Sequence, residues 1–171
     1  AALCHTGDSV GVAMRLLSAV QEVNAAQRTH AVNCMRRLLG SLDGLSIAAL
    51  GATFKGGSED LRASPALDVI GLLRNEGAYV RLYDPALSPE RCAMLADRLC
   101  ASALDAASGA DAVAVLTDWP EFRQLDLPAL ASVMAGRLLF DGRNLLDRGK
   151  VKAAGLQYCG IGRPAAWDAA R

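Results

Sequence analysis

The sequence predicts an α/β fold: a doubly wound parallel sheet of about five to six strands, preceded by a long N-terminal helix. Two observations carry the sheet. After Gly40, short apolar runs alternate with helical stretches, which is the pattern of βαβ crossovers with helices on both faces. Such crossovers are right-handed, and that favours a doubly wound, Rossmann-like strand order. A third observation carries the helix. Apolar residues at Ala13, Leu16, Leu17, Val20 and Val23, and later at Val32, Met35, Leu38 and Leu39, fall at three- and four-residue spacings.

The helical pattern runs from Val10 to about Leu42, with no Gly or Pro between Val12 and Leu39. It is long for a compact domain and is expected to pack on something else; a break into two helices near Thr29 stays open. Strands are expected at Leu45–Leu50, Tyr79–Tyr83, Ala112–Leu116, Arg137–Phe140 and Leu156–Cys159, with a short one near Cys100. Helices are expected at Pro65–Asn75, Pro89–Arg98, Leu104–Ser108, Leu127–Met134 and Lys150–Ala154. Ser64 before Pro65 is a capping residue followed by proline at the first helical position. The tail after Arg163 has no pattern. The chain therefore divides into a helical segment, 1–42, a Rossmann-like domain, 43–163, and a tail, 164–171.

Composition narrows the function. Of the 171 residues, 52% are hydrophobic and 21% charged, enough apolar material for a buried core. Eighteen basic and eighteen acidic residues cancel, and no basic stripe offers a footprint for nucleic acid or an anionic membrane. No apolar run reaches the length of a membrane span. Five cysteines, Cys4, Cys34, Cys92, Cys100 and Cys159, are scattered without metal-binding spacing, so reduced thiols in a cytoplasmic protein are expected. None has an obvious base beside it in sequence, and each reads best as a structural thiol. His5 and His30 lie on or beside the long helix without a second titratable partner, which argues against a catalytic role for either.

In an open parallel sheet, ligands bind outside the carboxyl ends of the strands. The segments there are Gly51–Pro65, Thr117–Phe122 and Asp141–Asn144. They supply Lys55, Arg62 and Arg143, three cations that could converge on one anion, and a diphosphate suits them. Each has a plainer alternative. Lys55 could be a solvated loop lysine, Arg62 could pair with Asp60 or Glu59, and Arg143 could be a turn residue. The Gly-x-Gly-x-x-Gly turn of a dinucleotide cradle is missing after the first strand. Asp84, at the place of a ribose-binding acid, therefore reads as a turn residue before Pro85. Trp119 reads as a packing residue at the crevice rim.

Five segments in register resemble the UDP-glucose/GDP-mannose dehydrogenase family. They are Val23-Asn24-Ala25-Ala26-Gln27; Leu50-Gly51-Ala52-Thr53-Phe54-Lys55 with Asp60-Leu61-Arg62-Ala63-Ser64-Pro65; Tyr83-Asp84-Pro85; Thr117-Asp118-Trp119-Pro120-Glu121-Phe122; and Asp141-Gly142-Arg143-Asn144. The likeness runs to about Arg163, and its last two segments are more similar to the UDP-glucose branch than to the GDP-mannose or UDP-N-acetylmannosamine branches.

The resemblance implies a nucleotide-sugar-binding C-terminal domain of an NAD-dependent dehydrogenase. Phe54, Lys55 and Arg143 match positions that contact the UDP-sugar, and Arg62 matches one that reaches the NAD. The long helix matches the family's dimerisation helix, which implies a homodimer. In the family, the sugar's C6 alcohol is oxidised to a carboxylate in two hydride transfers, through a cysteine-bound intermediate. That cysteine lies in a Gly-Gly-x-Cys motif, which is missing here; Cys4 aligns just after it and is not the nucleophile. No catalytic residue and no metal ligand is expected within the chain, and NAD is expected to be held mainly by an N-terminal half outside it. Gly56-Gly57-Ser58 departs from the Pro and Thr of many members, so that loop is expected to be more flexible. A free-standing, non-catalytic dimerisation or sensing module is the rival reading.

Overall fold

The computed structural model describes residues 2–90, 95 and 98–163. The expected helix Pro89–Arg98 falls largely outside them, as do Cys92, the tail after Arg163 and the side chain of His5. Five parallel strands make one sheet: β1 (Ser46–Leu50), β2 (Tyr79–Tyr83), β3 (Ala112–Val115), β4 (Leu138–Asp141) and β5 (Gln157–Gly160), in the order β2-β1-β3-β4-β5. Ile47 pairs with Val80 on one side and Ala112 on the other; Ala112 then pairs with Leu138, and Leu138 with Gln157.

The short strand expected near Cys100 is reduced to a single parallel bridge, Leu82 to Leu99. Leu82 donates to the Arg98 carbonyl at 2.8 Å and accepts from Cys100 N–H at 2.7 Å. The segment thus lies along the outer edge of β2, where a sixth strand of a doubly wound sheet belongs. Ser102 caps the next helix immediately, its hydroxyl accepting from Asp105 N–H at 3.0 Å, and this ends the extended run.

Helices α1 (Ala2–Ser9) and α2 (Arg15–Leu39) precede the sheet. The expected helix from Val10 starts instead at Arg15, because Gly11 turns the chain at a φ of 72°. Thr29 lies inside α2, which runs unbroken through that point until Gly40, at a φ of 80°, ends it. Helices α3 (Pro65–Asn75), α4 (Ala103–Ala107), α5 (Leu127–Val133) and α6 (Arg148–Ala153) follow. A 3-10 turn at Pro120–Gln124 was not anticipated.

Alternation along each strand feeds two cores. Ile47, Ala49, Val80, Leu82, Ala114 and Phe140 face α2 and α3, with Met35, Val69 and Leu73. Ala48, Leu50, Val113, Val115, Leu139 and Tyr158 face α4, α5 and α6, with Ala106, Leu130 and Val151. Each fully buried large side chain contributes about 1.5–3 kcal/mol, so the sheet is held from both sides. Helix α2 is buried only in its second half, at Ala31, Val32, Cys34 and Met35. Its first half carries Leu16, Val20 and Val23 at 78%, 47% and 58% exposure. Among the described residues no helix is long and apolar enough to cross a membrane.

Candidate functional site

All five strands point their carboxyl ends the same way, and the loops there fold over a cavity of about 570 Å³. Its wall joins four strand ends to helix α2. Phe54 follows β1, Leu116 follows β3, Gly142 and Arg143 follow β4, and Ile161 follows β5. Across from them α2 contributes Asn24, Gln27, Arg28 and Ala31, one face of the helix at three- and four-residue spacing.

The sheet sets these groups by a chain of hydrogen bonds that begins with buried polar residues. Asp84, at the end of β2, is 2% exposed. Its Oδ2 accepts from the N–H groups of Ala52 and Thr53 at 2.7 and 3.0 Å, and from the Thr53 hydroxyl at 3.0 Å. Its Oδ1 accepts from Ala86 N–H at 3.0 Å, which closes the Asp-Pro turn. The Trp119 indole N–H lies 3.1 Å from Thr53 Oγ1 and 3.3 Å from the same carboxylate. Thr117 donates to the Thr53 carbonyl at 2.9 Å, and Ser64 to the Ala52 carbonyl at 2.6 Å. The β1 loop is therefore tied to β2, to the β3 loop and to the cap of α3. Asp84 is the turn residue expected and also the hub of this network; Trp119, tied by its N–H, packs against the core on the α4, α5 and α6 side and does not line the cavity.

Phe54 projects from this fixed segment and is 47% exposed. Lys55 is exposed and Arg62 is exposed, and neither lines the cavity. Arg62 forms a fork on Asp60: Nε and one terminal nitrogen each donate at 2.9 Å, and Arg62 N–H also reaches Asp60 Oδ1 at 2.9 Å. This pairing holds the Asp60 carboxyl down at about 2. Of the three cations, then, Arg143 alone is brought to the cavity wall. Gly56 N–H donates to Asp118 Oδ1 at 3.0 Å, chiefly through which the Asp118 carboxyl sits below the usual range.

Arg143 stands on a turn built by its neighbours. Buried Asp141 accepts from Arg143 N–H at 3.1 Å and from Leu146 N–H at 2.8 Å, and Asn144 takes a φ of 51°. The Arg143 Nε–H donates to the Leu116 carbonyl at 2.8 Å, which fixes the guanidinium against the β3 end. Tyr158 donates from its hydroxyl to Asp141 at 3.3 Å and is pushed up to about 12, mainly by burial and then by that carboxylate.

Arg28 is a cation of this cavity not singled out from sequence. Its Nε lies 2.9 Å from Asp68 Oδ2, yet the N–H is not aimed at an acceptor, so the contact is ionic without a hydrogen bond. The signal for it was available: Arg28 lies four residues after Asn24, on the same helix face. A similar spacing was overlooked at His30 and Cys34, whose Nε2 and Sγ lie 3.5 Å apart, so His30 does have a titratable partner.

The fold defines a doubly wound α/β domain with a ligand-sized cavity at the carboxyl ends of its strands. The chain belongs to the UDP-glucose/GDP-mannose dehydrogenase family: residues 48–148 match the family's UDP binding domain. It is 38% identical over 166 residues to the UDP-glucose 6-dehydrogenase TuaD of Bacillus subtilis, covering 96% of this chain and 36% of that protein. Among solved structures it is similar to a UDP-glucose dehydrogenase of Pyrobaculum islandicum, at 28% identity with a TM-score of 0.79, covering 95% of this chain and 36% of that one. It is also similar to a UDP-D-ManNAc dehydrogenase of Pyrococcus horikoshii, at 29% identity with a TM-score of 0.65, covering 84% and 31% of the two chains. The chain thus spans about a third of the length of these relatives.

Proposed function

We propose that this chain is the nucleotide-sugar-binding part of an NAD-dependent UDP-glucose 6-dehydrogenase, organised as helical segment 1–42, binding domain 43–163 and tail 164–171. The observation that carries the reading is the cavity of about 570 Å³ at the strand ends, where Phe54 and Arg143 face Asn24, Gln27 and Arg28 of α2. An aromatic face suits a base, and two guanidinium groups suit a diphosphate. Lys55, on the same loop as Phe54, closes on the phosphates when the ligand enters. The chain's work is binding remote from the reacting carbon, which holds the sugar still while groups outside the chain do the chemistry.

NAD supplies the hydride acceptor in the whole enzyme. The residues present do not form its usual cradle, since the β1 loop lacks the glycine turn and the Asp84 carboxylate is occupied by internal donors. NAD is therefore held mainly outside this chain. Arg62, whose side chain is 90% exposed and braced by Asp60, would contact it from this chain. The nucleophilic cysteine also lies outside. The exposed apolar first half of α2 supports a homodimer, and free thiols at Cys4, Cys34, Cys100 and Cys159 support a cytoplasmic setting.

The test is NADH formation by the whole enzyme with UDP-glucose, UDP-N-acetylmannosamine and GDP-mannose. Turnover of UDP-glucose far above the other two is expected, and the 171-residue chain alone gives none. Preference for GDP-mannose, or NADH formation by the chain alone, overturns the reading.

A further inference from the structure

Cys34 and Cys159 take no part in the site above. Cys34 lies on the buried face of α2 and Cys159 on β5, at 6% and 4% exposure. Packing of α2 across the sheet places both residues in the same buried cluster and on the wall of one cavity. Both open onto a second cavity of about 430 Å³, lined also by His30, Arg37 and Arg163. Cys34 is the better equipped of the two. An Arg37 terminal nitrogen donates to its sulfur at 3.3 Å, and His30 Nε2 lies 3.5 Å away. The His30 and Arg37 side chains flank Cys34 at four and three residues' distance along one helix, so the grouping is built by α2 itself. Among the described residues no group of three or more His, Cys, Asp or Glu is placed to hold a metal ion, so the pair is not a metal centre of that kind.

A buried thiol packed only by apolar groups is inert. This one has a cationic donor, a base, a second thiol and a cavity large enough to admit a small oxidant. We infer that Cys34 and Cys159 form a peroxide-reactive thiol pair, with Cys34 the attacking sulfur, His30 its proton acceptor and Cys159 the resolving thiol.

The proton of Cys34 passes to His30 Nε2, and the sulfur attacks one oxygen of hydrogen peroxide. The O–O bond breaks, Cys34 becomes a sulfenic acid, and the departing hydroxide takes the proton from His30 and leaves as water. The sulfur of Cys159 then displaces the sulfenic oxygen, which leaves with the Cys159 proton as a second water. Two thiols lose two electrons, one peroxide becomes two waters, and a disulfide joins α2 to β5. Arg37 steadies the negative charge on Cys34 during the first attack. Burial, then the neighbouring Cys34, pushes the Cys159 thiol up to about 11, so its proton leaves only as the S–S bond forms.

The test is equimolar hydrogen peroxide, alkylation of the remaining thiols, and peptide mapping by mass spectrometry. A Cys34–Cys159 linked peptide is expected, reversed by dithiothreitol, with Cys4 and Cys100 alkylated. Cys159→Ser should halt at a Cys34 sulfenic acid that dimedone traps, and Arg37→Ala should slow its formation roughly tenfold. These variants are checked for native circular dichroism, and Cys34→Ser, a near-isosteric change, should leave Cys159 unoxidised. Oxidation confined to other cysteines, no oxidation at all, or no dimedone adduct on Cys34 in Cys159→Ser overturns the inference.

Discussion

The Asp84 carboxylate at the end of β2 holds the Ala52 N–H at 2.7 Å, across the junction where β1 passes into the loop bearing Phe54 and Lys55. Thr53 and Trp119 converge on the same oxygen. Removing the acceptor leaves several donors buried without a partner, at roughly 1–3 kcal/mol for each one left unmade. Asp84→Ala should therefore lose about 3 kcal/mol in urea unfolding and weaken nucleotide binding as well. Asp84→Asn keeps an acceptor and should lose about half as much. A loss under about 0.5 kcal/mol in Asp84→Ala would contradict the network's role.

Gly51 begins that loop at a φ of 95°, and a Cβ there would collide with the Thr117 side chain. Strain and overlap act together, so Gly51→Ala should cost about 2 kcal/mol or more, read as a shift of the denaturation midpoint. Gly57→Ala is the control. Gly57 has a φ of 74° but open space around it, so only the conformational part is expected, about 1 kcal/mol.

Tyr158 and Tyr83 are both pushed up to about 12 from 10.0, each first by burial. For Tyr158 the Asp141 charge adds to this, and for Tyr83 the hydrogen bond to Glu121 does. Their folded values are raised, so the neutral phenols stabilise the fold fully below pH 10.0 and that contribution is lost as pH rises through about 12. Near-ultraviolet difference absorbance should show two phenols ionising late, and stability should fall in that window. Tyr158→Phe should flatten part of the fall.

Leu16, Val20 and Val23 make an apolar stripe on the first half of α2 that no described residue covers. Leu16→Glu with Val20→Glu should split the proposed homodimer into monomers in sedimentation velocity, with little change in the melting of the sheet domain. A dimer that survives both changes would place the contact elsewhere.

Much of the fold was legible because each strand is an apolar run between turn residues. Gly40, Ser64-Pro65, Gly77 and Asp84-Pro85 punctuate the chain where elements end or begin. The start of α2 was misplaced because the apolar period continues through Val10 and Val12, while Gly11 decides the backbone. The strand near Cys100 was only half legible, since an edge segment carries few apolar residues and bonds on one side. The site was less legible. Arg143 could be placed from strand ends, and Phe54 was implied by the family resemblance. Arg28 could not be weighed without knowing that α2 lies over those ends, and the pairing of Arg62 with Asp60 rather than Glu59 shows only in the folded loop. Cys34 and Cys159, far apart in sequence, meet only through packing.

The most direct measurement is a calorimetric titration of the protein with UDP, UDP-glucose and GDP, repeated on Arg143→Ala. Saturable binding of both UDP compounds is predicted, weakened about tenfold or more in Arg143→Ala through loss of a charge-assisted contact, with GDP weaker than UDP. UDP binding unchanged in Arg143→Ala, or GDP preferred over UDP, would contradict the assignment of this cavity to a UDP-sugar.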